Sequence, residues 1–188
     1  MSCDHRIGYL PPRSFQVDVL LTGTAGKIGL CACPGRKFQQ LSGLSPDSDL
    51  KADLEAIRAF PAAVLITLME GGELDWAAAS LPQLRSAAEE AGLHHIHLPI
   101  VDGDIPDIQW ERNWEFHGPR LHDELHGGGN IVFHCRGGRG RAGLAAARVL
   151  IELGAPPQEA MARVRQARPG AIETKVQEAY LLRLVTRN

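Results

Sequence analysis

Short apolar runs typical of buried strands alternate along this chain with segments whose apolar residues recur at helical intervals. The runs predicted to be strands are 15–23, 27–35, 62–69, 94–101 and 130–135. The segments predicted to be helices are 45–60, 80–92, 107–125, 141–154, 156–168 and 172–185. This alternation predicts an α/β domain with a mostly parallel central sheet and helices on both of its faces. Ligands of such domains bind at the carboxyl ends of the strands.

The composition is that of a folded globular protein, because 44% of the 188 residues are hydrophobic and 22% are charged. We expect a single domain over 15–188, preceded by a flexible leader over 1–14 that lacks the apolar core of a signal peptide. The apolar runs are too short for a membrane span, so stable membrane insertion is not expected. The cysteines form no spaced disulfide framework, which indicates a cytoplasmic protein. They are Cys3, Cys31, Cys33 and Cys135.

The formal charge of -2 argues against a nucleic-acid partner held by bulk positive charge, but it hides a strong asymmetry. Residues 1–135 carry a net charge of -8 and residues 136–188 carry +6. Three of the basic residues lie within seven residues of one another and indicate a concentrated anion site; they are Arg136, Arg139 and Arg141. Three later arginines are predicted to solvate a helix face: Arg163, Arg165 and Arg168.

The loop between the last predicted strand and the helix after it carries the most informative chemistry. Gly137, Gly138 and Gly140 allow successive backbone N–H groups to point inward, and together with the helix N-terminus they form a cradle for an anion. Arg141 begins the helix and offers a planar guanidinium suited to two phosphate oxygens. Cys135 lies at the base of this cradle, where the N–H groups and the guanidinium favour its thiolate. The loop therefore predicts a phosphate site with a nucleophile beneath it.

A thiolate under a bound phosphate can displace an alkoxide or phenoxide, giving a phosphocysteine that water then hydrolyses. Both steps need an acid and base opposite the sulfur. Such a group typically accelerates the reaction by about 100 to 10,000-fold. The loop after the strand at 94–101 offers Asp102, Asp104 and Asp107. Chemistry alone does not separate the three, although an N-cap or a solvated loop acid is the simpler interpretation of Asp104 and Asp107.

The sequence His134, Cys135, five residues and Arg141 resembles the HCx5R loop of the cysteine-dependent protein tyrosine and dual-specificity phosphatases. The segments GLCACPGRK, HLPIVDGDIPDI and GAIETKVQEAYLL further resemble the kinase-associated, cyclin-dependent kinase inhibitor 3 type. This resemblance implies a protein-tyrosine-phosphatase-like fold and a phosphorylated protein or peptide as substrate. The proposed chemistry needs no cofactor or metal. The resemblance also selects Asp102 as the catalytic acid, because the family's acid lies four residues before a proline, here Pro106.

The resemblance implies two supporting residues and shows two departures. His134 is expected to fix the loop and help hold the thiolate, and Gln177 matches the position that orients the hydrolytic water in several relatives. Ala142 replaces the Ser or Thr that usually follows the loop arginine, so a low-turnover, phosphate-dependent binding module is one alternative. Arg136 and Arg139 take positions where phosphatase-and-tensin-homologue lipid phosphatases carry lysines, so a phosphoinositide or inositol polyphosphate substrate is another.

Three other interpretations are less favoured. Gly138, Gly140 and Gly143 also satisfy the dinucleotide-binding pattern GxGxxG, but no strand follows the helix to complete a βαβ unit. Sulfurtransferases of the rhodanese kind also have a loop that begins with cysteine, but theirs is usually one residue shorter than the loop from Cys135 to Arg141. A sulfurtransferase is therefore disfavoured. Zinc is conceivable between Cys31 and Cys33 on one strand and His95 and His97 on another, but core cysteines and strand-face histidines are the favoured interpretation.

Overall fold

A computed structural model describes residues 15–36 and 46–184. The leader predicted over 1–14, including Cys3, lies outside the described residues. The described strands are β1 (Asp18–Leu21), β2 (Lys27–Ala32), β3 (Ala62–Thr67), β4 (His94–His97) and β5 (Asn130–Cys135). The described helices are α1 (Pro46–Ala59), α2 (Gly71–Ala77), α3 (Leu81–Glu90), α4 (Ile108–His126), α5 (Gly140–Glu152), α6 (Pro157–Ala167) and α7 (Lys175–Arg183).

The strands form one mixed sheet in the order β1-β2-β5-β3-β4. Strand β1 pairs with β2 antiparallel, and the pairs β2–β5, β5–β3 and β3–β4 are parallel. Register places Ala32 opposite Cys135 and Thr67 opposite His134. The carboxyl ends of four strands therefore meet at one edge of the sheet, where the loop that begins at Cys135 lies.

Helices cover both faces of the sheet, as the alternating pattern predicts. Helix α1 packs on β3 and on α3, which packs on β4, whereas α5 packs on β5, β2, α6 and α7. Residues Gly140 to Ile151 of α5 are buried all round, and its alanines let neighbouring backbones approach closely. The central strands β3 and β5 are buried on both sides, which explains their continuous apolar sequences. Within the described ranges, no helix combines the length and apolarity that a membrane span requires.

A buried ionic network joins α4 to α5. Helix α4 follows the aspartate loop, which carries Asp102, Asp104 and Asp107, and α5 follows the cysteine loop, which begins at Cys135. Arg148 of α5 is 6% exposed and donates to Glu111 of α4 at 2.7 Å and to Glu152 at 2.9 Å. Its guanidinium lies over the rings of Trp110 and Trp114, which stack on each other with centroids 4.9 Å apart. Because each charge has an opposite partner, the network holds α4 and α5 together without an unpaired buried ion.

The observed elements differ from the predicted ones at two places beside the site. The apolar runs at 62–69 and 94–101 end as strands at Thr67 and His97. Leu98 N still donates to the carbonyl of Thr67, and Ile100 N donates to the carbonyl of Leu68. Helix α2 is absent from the prediction, because its seven residues begin with two glycines, which disfavour helix.

Candidate active site

The cysteine loop is fixed in shape by a close approach to strand β2. Gly138 has φ +69°, and a Cβ built on it would lie 2.2 Å from the carbonyl oxygen of Cys31. Only glycine fits this position, because a side chain would be strained by the dihedral angle and would also collide with the β2 backbone. The loop therefore turns tightly over the sheet edge, with Cys135 at its start and Arg141 in the first turn of α5.

Donors outside the loop hold its carbonyl groups. Arg168 donates to Gly137 O at 2.8 Å and pairs with Asp18 at 2.5 Å, while Cys33 N donates to Arg136 O at 3.4 Å. The prediction that Arg168 solvates a helix face is wrong, since its side chain is only 15% exposed. Among the described hydrogen bonds, none uses the backbone N–H groups of 136–140. Backbone N–H groups that take part in no other hydrogen bond can bind an anion.

The guanidinium of Arg141 is buried, 1% exposed, and already oriented. Glu73 accepts from both terminal nitrogens, with Nη1–Oε2 2.6 Å and Nη2–Oε1 2.8 Å. Ile100 O accepts from Nη1 at 3.2 Å, and Asp102 Oδ1 lies 2.9 Å from Nη2, whereas the buried Nε has no partner within the described structure. Burial works against the charged form, but Glu73, Cys135 and Asp102 together keep the pKa of Arg141 above its ordinary value. One phosphate oxygen can bind the unpartnered Nε of Arg141. A second oxygen can replace Asp102 at Nη2.

Glu73 is a functional residue that the sequence reasoning missed. It lies in α2, directly beyond the end of β3, at the same sheet edge as the cysteine loop. Its side chain is 11% exposed and is bonded to Arg141 through both oxygens. The available signal was an acidic residue shortly after a predicted inner strand, where parallel strands present their ligand-binding residues.

His134 belongs to a buried chain of polar side chains behind Cys135. Thr67 Oγ1 lies 2.6 Å from His134 Nε2 and 2.8 Å from His95 Nε2. Burial, followed by nearby positive groups, lowers the pKa of His134 to about 3 and that of His95 to about 4, so both rings are neutral at pH 7. The single hydroxyl proton can be donated to only one ring, and the other ring then donates to the hydroxyl oxygen, so the two histidines hold opposite tautomers.

Of the three candidate acids, the structure brings one to Arg141. The side chain of Asp102 is 66% exposed and contacts the guanidinium. Asp104 uses its carboxylate for the N–H of the next residue at 2.8 Å, and Asp107 caps α4 by accepting from Trp110 N at 2.7 Å. The interpretation of Asp107 as an N-cap is confirmed.

Gln177 is buried and joins α7 to the aspartate loop. Its Oε1 accepts from the N–H groups of Glu173 and Thr174, and its Nε2 donates to Asp104 O at 3.2 Å. Thr174 Oγ1 donates to Gly103 O at 3.0 Å, which adds a second tether. The amide thus positions the loop that carries the candidate acid, and its predicted role beside a hydrolytic water stays a prediction.

The residues considered for zinc have other partners. Burial, with the neighbouring Cys33, raises the pKa of Cys31 well above its ordinary value, and burial raises that of Cys33 to about 12. Both cysteines are therefore protonated core thiols, as favoured from the sequence. His95 contacts Thr67, and His97 Nε2 lies 2.8 Å from a backbone carbonyl. In the part of the chain that the structure describes, no three His, Cys, Asp or Glu residues are grouped to hold a metal.

Comparisons with known proteins agree with this geometry. The family model described as "Cyclin-dependent kinase inhibitor 3 (CDKN3)" matches residues 18–161. Mouse cyclin-dependent kinase inhibitor 3 is 32% identical over 158 residues, which cover 82% of this chain and 69% of the mouse protein. The crystal structure of kinase associated phosphatase with its catalytic-site cysteine replaced by serine has a TM-score of 0.75 at 27% identity, covering 93% of this chain and 94% of that one.

The fold is shared more widely. PTPMT1 in complex with PI(5)P has a TM-score of 0.62 at 19% identity, covering 82% of this chain and 87% of that one. At that identity the likeness concerns the fold alone. The match over 18–161, together with the relatives above 30% identity, shows that this chain belongs to the cyclin-dependent kinase inhibitor 3 family of dual-specificity protein phosphatases.

Proposed function

We propose that this chain hydrolyses phosphate monoesters on proteins through a phosphocysteine intermediate, with phosphotyrosine as the first substrate and phosphothreonine and phosphoserine as further ones. The observation that carries the proposal is a loop that begins at Cys135, whose backbone N–H groups take part in none of the described hydrogen bonds, within electrostatic reach of a buried guanidinium that keeps an unpartnered donor. The domain carrying this chemistry is proposed to run over 15–188, in the cytoplasm, where a reducing environment keeps the cysteines as thiols.

In the first step, the thiolate of Cys135 attacks phosphorus, the S–P bond forms and the P–O bond to the leaving group breaks. The loop N–H groups and Arg141 bind the equatorial oxygens, whose charge they stabilise in the transition state. Phosphate oxygens replace Asp102 on Nη2 of Arg141, where its carboxylate now lies at 2.9 Å. The released Asp102 carboxylate takes up a proton from solvent and then donates it to the leaving oxygen.

In the second step, Asp102 accepts a proton from water, the hydroxide oxygen bonds to phosphorus and the thiolate of Cys135 leaves. His134 supports that thiolate from behind as a neutral ring fixed by Thr67. Ala142 is fully buried and offers no hydroxyl to the departing sulfur. We therefore expect breakdown of the phosphocysteine to limit turnover, which a burst of product in the first turnover would reveal.

The test compares the wild-type chain with Cys135→Ser and Asp102→Ala on p-nitrophenyl phosphate and a phosphotyrosine peptide. Cys135→Ser should abolish hydrolysis, and vanadate should inhibit the wild type. Asp102→Ala should lower kcat by roughly 100-fold or more, while phosphate affinity is retained or increased because Arg141 loses a competing carboxylate. Wild-type activity no higher than that of Cys135→Ser would refute the proposal. Undiminished activity of Asp102→Ala would move the acid role to Asp104 or Asp107.

A phosphoinositide is the second candidate substrate. Arg136 and Arg139 are both exposed at the rim of the loop, where they can reach a second phosphate. A side-by-side rate comparison on phosphopeptides and inositol phosphates tests this candidate. If Arg136→Ala and Arg139→Ala slow both substrate classes equally, the polyphosphate reading has no support.

A further inference from the structure

Helix α2 presents two side chains to the cysteine loop, and only one of them is used by the proposed chemistry. Glu73 holds Arg141, and Trp76 lies one turn later on the same face of the helix. The Arg136 guanidinium lies over the Trp76 ring, with Cζ 4.5 Å from the ring centroid. Trp76 is 58% exposed, and Arg136, the residue directly after Cys135, is also exposed. The stacked pair of Trp76 and Arg136 therefore lies at the solvent-facing edge of the site.

Stacking fixes Arg136 without using its hydrogen-bond donors. A guanidinium that lies flat on an aromatic ring keeps its in-plane N–H groups for a ligand. The main chain beneath it is also held, because Cys33 N and Arg36 Nη1 both donate to Arg136 O, at 3.4 and 3.5 Å. Within the described residues, no carboxylate forms an ion pair with Arg136, so its charge is available to a substrate.

The opposite side of the loop differs in charge. Arg139 lies over the turn at Gly170, and the carboxylate of Glu173 lies against the neighbouring Gly140, where a Cβ would meet Oε2 at 2.5 Å. A carboxylate therefore lies beside the loop on this side, whereas the side chain of Arg136 lies against an aromatic ring. A site with an aromatic surface on one side and a carboxylate on the other suits a single additional anion carried on an apolar chain. It suits an inositol bearing several phosphates less well.

We propose that Trp76 and Arg136 form a rim subsite for the side-chain carboxylate of an acidic residue next to the phosphorylated residue of a peptide substrate. The carboxylate binds the guanidinium N–H groups, and the methylene stem lies along the exposed part of the tryptophan ring. The inference rests on the proposed function, because it names the kind of phosphoprotein that this site selects.

The test uses phosphotyrosine peptides that differ only by Glu or Gln, placed directly before or directly after the phosphotyrosine. We compare the ratio of the wild-type kcat/KM for the Glu peptide to that for the Gln peptide. For an exposed ion pair beside an aromatic ring, this ratio should be roughly 2 to 5 at one of the two positions. This ratio should fall as salt is raised. Arg136→Gln should bring the ratio to about 1, and Trp76→Leu should lower it although the charge remains, because the guanidinium is no longer held in place.

The matched control is Phe116→Leu, which removes the ring under Arg120 on α4, another exposed stack with Cζ 3.8 Å from the ring centroid. This variant should keep the wild-type ratio. A second readout, calorimetric binding of the same peptides to Cys135→Ser, does not depend on turnover. If the wild type hydrolyses no phosphate monoester but Cys135→Ser still binds the Glu peptide more tightly, the proposed function fails and the subsite stands.

If hydrolysis occurs with a Glu-to-Gln ratio of 1 at both positions, or if Arg136→Gln keeps the wild-type ratio, the subsite is refuted while the proposed function stands. A loss confined to inositol bisphosphate hydrolysis in Trp76→Leu would also overturn it, in favour of a polyphosphate site.

Discussion

The contact between Glu73 and Arg141 predicts that a residue outside the signature loop controls both stability and activity. Glu73→Gln keeps the shape of the side chain but removes its charge, and its amide nitrogen faces one guanidinium nitrogen. Breaking a buried ion pair typically costs about 3–5 kcal/mol. Because Ile100 O and Asp102 still contact Arg141, we expect a smaller loss of about 2–3 kcal/mol in the free energy of unfolding. A guanidinium displaced by about 1 Å should lower kcat/KM by roughly 100-fold.

Urea unfolding gives the stability change, and kcat/KM on p-nitrophenyl phosphate with the vanadate inhibition constant gives the functional change. Glu178→Gln is the matched control, because Glu178 pairs with Arg165 at a site where both side chains are about 40% exposed. Such a pair contributes about 0–1 kcal/mol, and this variant should resemble the wild type. If Glu73→Gln keeps wild-type kcat/KM and vanadate affinity, Arg141 does not depend on Glu73 and our account of the guanidinium is refuted.

Three further predictions concern the support behind the loop. Thr67→Val should lower the free energy of unfolding by about 1–3 kcal/mol, since both histidine Nε2 atoms lose their partner, whereas Thr67→Ser should not. Gly138→Ala should cost roughly 3 kcal/mol or more, because its added methyl meets backbone at 2.2 Å, while Gly137→Ala, with nothing within 4 Å, should cost less than that. Stability should fall as pH drops below about 6.5, since the unfolded chain binds protons that neutral His134 and His95 do not take up until near pH 3 and 4. His95→Asn should reduce that pH dependence in urea unfolding, and an unchanged slope would contradict the assignment.

The sequence predicted the parts of this structure that depend on local pattern. The α/β alternation, the parallel central strands and the strand–loop–helix around Cys135 follow from apolar runs and glycine placement. The resemblance to a phosphatase loop then selected Asp102, which is the candidate acid found against Arg141. These features are encoded within short stretches of chain, so a single sequence is enough to predict them.

Features that depend on distant contacts were not predictable. Glu73 and Arg141 are 68 residues apart, and nothing in GGELDWA marks its acid as the partner of that arginine. Arg168 looked like a solvated helix residue, but the turn of the chain brings it to Gly137 and Asp18. Helix α2 forms although its two glycines have a low helix propensity, because tertiary contacts outweigh local propensity.

The central claim is that phosphoryl transfer passes through the sulfur of Cys135. The most direct measurement is to quench the wild-type chain during its first turnovers on a phosphotyrosine peptide and to locate any added phosphoryl group by mass spectrometry. Because Ala142 offers no hydroxyl to the departing sulfur and breakdown is expected to limit turnover, the intermediate should accumulate, so we expect the phosphoryl group on Cys135 and no labelled protein with Cys135→Ala. Product release without any phosphorylated protein in the first turnover, or a phosphoryl group on another residue, would contradict the claim.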